Sequence, residues 1–305
     1  MQSKSPFQQE GATVYSNGIN IYYQAFGMPE NPAVLLIMGL DAQCVMWSMP
    51  FIEPLVAAGY YVIRFDNRDI GLSTWMNDWH RSRPYTLEDM AKDAVGLLDA
   101  LQIEKAHIIG ASMGGMIAQR IAISHADRVL SLTSIMSTGF ALDPKAAGKV
   151  YIKFMLWIMP FLVKRVTLKT KLLNIKVDVK SYTATYRSLA GKKYPFNYDY
   201  FKALFTYSIL ERKGQNPRAI MQQYCAIVAS GSRLKEMHKI NVPTLILHGT
   251  DDKLVPPSHA KIYAPLIPKA KMVWMDGVGH EIPLGVLPQV HEEILEHLNK
   301  IKSIG

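Results

Sequence analysis

The chain has 305 residues, of which 49% are hydrophobic and 19% are charged, and its formal net charge is +9. This composition supports a large hydrophobic core with room for an insertion, and it argues against a disordered or repetitive protein. The two cysteines, Cys44 and Cys225, argue against a disulfide framework and predict reduced thiols with no redox chemistry.

Two features of the sequence predict where the protein resides. The first ten residues are polar and lack the apolar core of a secretory signal, so we expect a cytoplasmic protein. The longest apolar stretch, residues 154–163, is interrupted by Pro160 and is well short of the ~20 residues that a membrane-spanning helix needs. No membrane anchor is therefore predicted.

In chain order, the sequence begins with a hairpin and then alternates strands with helices. Asn17-Gly18, between apolar residues 13–15 and 19–23, is a strong hairpin signal. Amphipathic helices are predicted between most of the later strands, and Thr86 with Asp89 three residues on is typical of a helix start. Apolar runs typical of strands buried on both faces occupy residues 34–38, 61–65, 107–109, 129–135, 244–247 and 272–275. This order predicts an α/β protein with a doubly wound, mostly parallel eight-stranded sheet.

The alternation stops at residues 137–235, where the sequence becomes helical, aromatic and basic. We interpret this segment as a helical cap inserted into a core formed by residues 1–136 and 236–305. Residues 141–235 contain 18 Lys and Arg against 4 Asp and Glu, so the predicted cap carries the basic character of the whole chain.

Three explanations fit this basic cap. The simplest is a solvated helical surface. A second is contact with an anionic lipid surface through basic groups beside Trp157, Phe161 and Leu162, and a third is an anionic soluble substrate. Nucleic acid is not a predicted partner, because the basic residues form no recognised binding module. No oligomeric state is predicted.

The most informative motif is Gly-Ala-Ser-Met-Gly at residues 110–114, between an apolar run and a helix-like stretch. A serine on a sharp strand-to-helix turn needs residues with almost no side chain two positions before and two after it. Gly110 and Gly114 meet this need. The turn also directs backbone N–H groups toward the space above the Ser112 hydroxyl. The motif therefore predicts a nucleophilic serine.

A serine nucleophile requires a histidine base and a carboxylate that orients it, and both are expected downstream on loops after late strands. The strand at residues 244–247 leads to Asp251 and Asp252, and Asp252 better fits the spacing Gly-x-x-Asp-x-x-Val-Pro. We interpret Asp251 as a solvated turn residue. The last strand leads through two glycines to His280, which we predict to be the base.

The other eight histidines are interpreted as structural residues. They are His80, His107, His125, His238, His248, His259, His291 and His297. His291-Glu292 resembles the start of a zinc motif, but Leu295 occupies the position where a second histidine would be needed. No metal site and no cofactor are predicted.

Acyl transfer also needs two backbone donors for the developing oxyanion. The N–H of Met113, directly after the serine, is one candidate. The loop after the third strand contains Gly39, which permits a tight turn, and the Leu40 N–H is the second candidate.

With these motifs the chain resembles the α/β-hydrolase superfamily along nearly its whole length. Residues 64–73 are similar to the family segment Arg-x-Asp-x-Arg-Gly-x-Gly-x-Ser, with Asp69 in place of the usual glycine. The loop Met38-Gly39-Leu40, followed by Gln43 and Trp47, resembles the aclacinomycin methylesterase group of small-ester hydrolases. The resemblance implies ester hydrolysis through an acyl-enzyme, and Trp47 is a candidate for binding the acyl side of the substrate or for a place in the core.

The resemblance also indicates which other activities the chain could have and which it could not. Haloalkane dehalogenases and epoxide hydrolases of this superfamily use an aspartate nucleophile, so Ser112 argues against both. The predicted function is a serine carboxylic-ester hydrolase for small to medium, largely apolar esters. A lipase acting at lipid interfaces, a C–C bond hydrolase, a perhydrolase and a ligand receptor with residual hydrolase activity stay open as alternatives.

Overall fold

The computed structural model describes residues 7–140, 179–212 and 216–302. Its centre is one sheet in the order β1-β2-β4-β3-β5-β6-β7-β8. The strands are β1 Ala12–Ser16, β2 Ile19–Phe26, β3 Ala33–Ile37, β4 Tyr61–Phe65, β5 Ala106–Ala111, β6 Val129–Ile135, β7 Thr244–Gly249 and β8 Ala270–Met275. The β1–β2 and β2–β4 pairs are antiparallel and all other pairs are parallel. The predicted eight-stranded, mostly parallel sheet is confirmed.

Helices connect most of the strands. They are α1 Met49–Ala57, α2 Leu87–Ala100, α3 Met113–Ser124, α4 Val179–Leu189, α5 Tyr198–Thr206, α6 Ala219–Ser230, α7 Pro257–Tyr263 and α8 Leu287–Lys302. Short 3-10 turns occupy Cys44–Met46, Ala126–Arg128, Leu234–Lys239, Ala264–Leu266 and Leu284–Val286, and Tyr207–Glu211 forms a π turn. The predicted start of α2 is confirmed, since Thr86 and Asp89 form a reciprocal capping box.

The sheet separates two apolar layers. Strand β3 is buried along its whole length, and its alternate residues point to opposite faces. Leu35 and Ile37 join a cluster that includes buried residues of α2 and α3, whereas Val34 and Leu36 join one that includes residues of α1 and α8. Burial on both faces explains why β3 lacks the polar alternation of a surface strand.

Helices α4, α5 and α6 lie in the chain between β6 and β7. A third apolar cluster joins α4 and α5 to the turn after β3, through residues such as Tyr182, Phe205 and Val45. Arg212 extends this connection, since its Nη2 lies 2.6 Å from Asp66 Oδ2 and both side chains are buried. The boundaries of the predicted cap, residues 137–235, and of the predicted core stay a prediction.

Part of the predicted cap lies outside the described residues. Trp157, Phe161 and Leu162 belong to that part, as does the apolar stretch 154–163. Contact of the cap with anionic lipid therefore stays a prediction. Among the residues that the structure describes, no helix is both long enough and apolar enough to span a membrane.

Candidate active site

Ser112 lies on a tight turn between β5 and α3. Its backbone φ is +55° and its ψ is −120°, a strained combination for a residue with a side chain. A Cβ on Gly110 would lie 2.2 Å from the Gly114 carbonyl oxygen, and one on Gly114 would lie 2.0 Å from the Ile37 oxygen. Both glycines are therefore required for the close packing of strand and helix around the serine.

The three side chains of the predicted triad meet at the carboxyl ends of parallel strands. Ser112 follows β5, Asp252 follows β7 and His280 follows β8. His280 Nε2 lies 3.0 Å from Ser112 Oγ, and His280 Nδ1 lies 2.7 Å from Asp252 Oδ2. This hydrogen-bonded chain is the arrangement expected of a serine nucleophile, its base and the carboxylate that orients the base.

Asp252 and Asp251 differ in their partners. Asp252 is 2% exposed, and its Oδ1 accepts hydrogen bonds from the backbone N–H groups of Leu254 (2.9 Å) and Val255 (2.8 Å). Asp251 Oδ2 instead accepts from the backbone N–H of Lys192 at 3.1 Å. Only Asp252 contacts His280, whereas Asp251 connects its turn to the segment after α4.

The loop that carries His280 packs against the end of α4. The backbone N–H of His280 donates to the Leu189 carbonyl oxygen at 2.7 Å. A Cβ on Gly279 would lie 2.1 Å from that same oxygen, so the two segments touch through their backbones. The segment between β6 and β7 thus helps to hold the histidine, a contact that the sequence did not predict.

The two predicted oxyanion donors flank Ser112. Met113 is the first residue of α3, where a backbone N–H has no acceptor within the helix. Leu40 follows Gly39, and a Cβ on Gly39 would lie only 3.1 Å from Ser112 Cβ. The loop after β3 therefore passes close to Ser112, and the roles of the Leu40 and Met113 N–H groups stay a prediction.

The next residue of this loop, Asp41, has two contacts with distant segments. Its φ is +60°. Its backbone N–H donates to Gln223 Oε1 at 2.8 Å, and its Oδ2 accepts from the Tyr182 hydroxyl at 3.0 Å. Gln223 lies on α6 and Tyr182 on α4, so both helices hold the loop that presents the Leu40 N–H.

A cavity of about 170 Å³ lies over Ser112 and His280. Trp47 lines it and is also 2% exposed, with its ring centroid 4.7 Å from that of Phe51. The side chain is therefore a core residue that also forms part of the cavity wall, and a role in binding the acyl group stays a prediction.

Asp69 replaces the usual family glycine where the backbone φ is +70°. Aspartate tolerates this left-handed conformation better than most residues with a side chain. Its buried carboxylate accepts from the Met76 N–H at 2.7 Å and from the Tyr85 hydroxyl at 2.8 Å. Burial raises the pKa of Asp69, and the two donors oppose that effect.

Two further ionisable residues lie near the candidate triad. Glu281 was not singled out from the sequence, and His248 was interpreted there as a structural residue. Glu281 follows His280 directly, lines the cavity, and has a pKa that burial raises to about 7. His248 is buried, its Nε2 lies 2.8 Å from the Val255 oxygen, and burial lowers its pKa. The available signals were the position of Glu281 beside His280 and that of His248 in β7, four residues before Asp252. Within the described ranges, His, Cys, Asp and Glu form no group of three that could hold a metal ion.

The chain is similar to known proteins along most of its length. The family model of the alpha/beta hydrolase fold matches residues 32–285. The chain is 28% identical to rhodomycin D methylesterase DnrP of Streptomyces peucetius over 297 residues, which cover 93% of this chain and 96% of the relative. The predicted resemblance to methylesterases is thereby confirmed.

Solved structures show the same fold. The enol-lactonase of Burkholderia xenovorans LB400 matches with a TM-score of 0.72 at 21% identity, covering 94% of this chain and all of that one. An esterase of Exiguobacterium antarcticum matches with a TM-score of 0.73 at 20% identity, covering 95% of this chain and 100% of that one. From the matched family model and the shared sheet, the chain belongs to the α/β-hydrolase fold family.

Proposed function

We propose that the protein is a serine carboxylic-ester hydrolase that acts through an acyl-enzyme on small to medium, largely apolar esters. The observation that carries the proposal is the chain of hydrogen bonds from Ser112 Oγ through His280 to Asp252, at 3.0 and 2.7 Å. The likeness to a methylesterase over 93% of the chain supports an ester substrate. The mainly apolar wall of the cavity over Ser112, which includes Met38, Trp47 and Leu287, supports an apolar one.

The first half of the reaction forms the acyl-enzyme. Ser112 Oγ attacks the ester carbonyl carbon while its proton moves to His280 Nε2, and Asp252 stabilises the imidazolium that results. The negative charge on the carbonyl oxygen is stabilised by the N–H groups of Leu40 and Met113. The C–O bond then breaks, and His280 returns its proton to the departing alcohol.

The second half releases the acid. Water takes the place of the alcohol, His280 Nε2 accepts a proton from it, and the resulting hydroxide attacks the acyl carbon. The same two N–H groups stabilise the second oxyanion. The bond to Ser112 Oγ breaks, the proton returns to the serine, and the carboxylic acid leaves.

In the proposed domain arrangement, residues 137–235 form a cap over a core of residues 1–136 and 236–305. The contacts of Tyr182 and Gln223 with Asp41, and of Leu189 with His280, support a cap that contacts both the oxyanion loop and the base. A cytoplasmic location is part of the same proposal.

The test is hydrolysis of p-nitrophenyl esters from acetate to palmitate by the wild type, Ser112→Ala and Ser124→Ala, with and without anionic vesicles. Ser124 is an exposed serine at the other end of α3 and serves as the matched control. We expect a short-chain optimum that is indifferent to vesicles. Ser112→Ala should lower kcat by ~10⁴-fold or more, and Ser124→Ala should leave it unchanged.

The acyl-enzyme is tested separately by rapid mixing and mass spectrometry. A burst of p-nitrophenol equal to the enzyme concentration and a peptide containing Ser112 that carries one acyl group are expected. A long-chain optimum stimulated by vesicles would favour a lipase. Wild-type turnover by Ser112→Ala, or no turnover of any ester by the folded wild type, would contradict the proposal.

A further inference from the structure

A second and larger cavity adjoins the one over Ser112. Its volume is about 420 Å³, against about 170 Å³ for the cavity at the serine. The two share wall residues, namely Met46, Ser48, Phe201, Glu281 and Ile282. Glu281 therefore borders both the space over Ser112 and the larger cavity.

Glu281 provides the only carboxyl group among the described residues that line the larger cavity, and no Lys, Arg or His of the described ranges lines it. The residue is 7% exposed, and burial raises its pKa. Within the described ranges, no hydrogen bond or ion pair reaches its carboxyl group. A buried carboxylate without a partner is costly, and a cationic ligand in the cavity would supply that partner.

Aromatic side chains form much of the rest of this wall. Tyr194, Phe196, Tyr200 and Phe201 line the cavity. The rings of Phe196 and Phe201 stack at 4.8 Å, and Tyr200 meets Phe201 edge-on at 5.5 Å. Aromatic faces attract cations, and ammonium groups are bound in proteins by such rings together with a carboxylate. A purely apolar ligand would use the rings but leave Glu281 unpaired, and an anion would be repelled by it.

We propose that the larger cavity binds a protonated or quaternary amino group of the substrate, with Glu281 as its counter-ion and the aromatic rings around it. The substrates are then amino esters whose carbonyl lies at Ser112 while the ammonium group lies beyond Glu281. That these substrates are esters depends on the proposed function, whereas the binding of an ammonium group in the larger cavity does not.

The first experiment compares esters that differ only in charge. Butyrylcholine and 3,3-dimethylbutyl butyrate carry a trimethylammonium or a tert-butyl group on the alcohol side. The p-nitrophenyl esters of 4-(trimethylammonio)butyric acid and 5,5-dimethylhexanoic acid make the same change on the acyl side. We expect the wild type to prefer the cationic member of one pair by about tenfold in kcat/KM, the effect of one charged contact.

The variant Glu281→Gln keeps the shape of the side chain and removes its charge. It should reduce the ratio of kcat/KM for the cationic ester to kcat/KM for its neutral partner from about ten to about one, because it removes the charge that binds the amine. The ratio within each variant cancels any change that affects both esters alike. Glu292→Gln, on an exposed residue of α8 outside both cavities, is the matched control and should retain the preference. Thermal melting checks that each variant folds.

The second experiment needs no turnover. Calorimetry measures the binding of benzyltrimethylammonium to Ser112→Ala protein with and without Glu281→Gln, and we expect the Kd to rise about tenfold in the double variant. If neutral esters are hydrolysed but neither pair shows a cationic preference and Glu281→Gln leaves the Kd unchanged, the ammonium site is wrong and the proposed function stands. Binding that depends on Glu281 without hydrolysis of any ester would support the site and contradict the proposed function.

Discussion

His248 Nε2 lies 3.7 Å from Asp252 Oδ2, the carboxylate oxygen that also accepts a hydrogen bond from His280 Nδ1. Two imidazoles therefore approach one buried carboxylate, and they differ in what else they contact. His280 reaches Ser112, whereas His248 Nε2 lies 2.8 Å from the Val255 carbonyl oxygen. Burial lowers the pKa of His248, which favours its neutral form. The close hydrogen bond to this carboxylate oxygen is therefore the one from His280.

The first prediction separates the two histidines. Replacing His248 with Phe leaves the buried Val255 oxygen without its donor, so the free energy of unfolding should fall by about 1–3 kcal/mol. The kcat for ester hydrolysis should fall by less than about tenfold, because His280 keeps both of its contacts. His280→Ala should instead lower kcat by ~10³-fold or more. Equal losses of kcat in the two variants would show that our assignment of the base is wrong.

The second prediction concerns the oxyanion loop. Gln223→Met removes the acceptor for the Asp41 N–H and the donor to the Arg68 oxygen. The loop that presents the Leu40 N–H then loses an anchor, and we expect kcat to fall about tenfold with little change in KM, as for a contact made only in the transition state.

The control for Gln223→Met is the same substitution at Gln222, the neighbouring residue on α6. Gln222 is equally buried, and its Nε2 donates to the Met76 oxygen at 2.9 Å, away from the oxyanion loop. Gln222→Met and Gln223→Met should each reduce the free energy of unfolding by roughly 1–3 kcal/mol, measured by urea denaturation. Only Gln223→Met should reduce kcat, and a similar reduction by Gln222→Met would mean that the effect is general loss of stability.

The third prediction concerns the packing of the turn at Ser112. Gly114→Ala places a Cβ 2.0 Å from the Ile37 carbonyl oxygen, which belongs to the backbone of β3 and cannot move away cheaply. We expect a loss of more than ~3 kcal/mol of unfolding free energy, or insoluble protein.

The matched control is Gly96→Ala within α2. The Cβ there would meet Ser16 Oγ at 2.0 Å, the end of a side chain that can rotate. Alanine favours the helix interior by about 1 kcal/mol over glycine, so this variant should melt close to the wild type or slightly above it. Gly114→Ala protein with a wild-type melting temperature would contradict the packing argument.

The fourth prediction follows from the burial of Glu281, which raises its folded-state pKa to about 7. In the unfolded chain a glutamate titrates near ~4.3, so between these two pH values the folded state binds more protons. The stability contributed by the protonated carboxyl is therefore fully present below about pH 4, is lost as pH rises toward 7, and stays lost above it.

Glu281→Gln does not titrate and avoids this loss. Its free energy of unfolding should equal that of the wild type near pH 4 and exceed it by roughly 3–4 kcal/mol at pH 8. Melting temperatures measured across this range, with the exposed Glu292→Gln variant beside it, test the prediction. A difference that shrinks as pH rises would have the wrong sign.

The sheet was predictable because its signals are local. Each strand of the core is marked by an apolar run, and the turn at Ser112 by the two glycines whose missing side chains let β5 and α3 pack. The meeting of Ser112, Asp252 and His280 could be predicted for the same reason, since Asp252 and His280 lie on the loops after predicted strands and parallel strands end at one edge. Strand ends differed from the predictions by a few residues, as for Ala106–Ala111 and Ala270–Met275.

The contacts that anchor the candidate site join residues that are far apart in the sequence. Gln223 and Asp41 are 182 residues apart, and Arg212 and Asp66 are 146 apart. Neither pair has a pattern in the sequence, because a hydrogen bond between distant segments depends on how their helices pack and not on the residues around either partner. The chemistry at Glu281 is likewise a product of burial, since a glutamate is normally exposed and ionised.

By itself, then, the sequence determined the order of strands and helices, the strained turn at Ser112 and the identities of Asp252 and His280, because backbone sterics and hydrophobic periodicity act over a few residues. Only the tertiary structure decided that Leu189 contacts His280, that Gln223 contacts the loop after β3, and that Glu281 stands without a described partner between two cavities. Those properties arise from desolvation and from packing across the fold, which no short segment encodes.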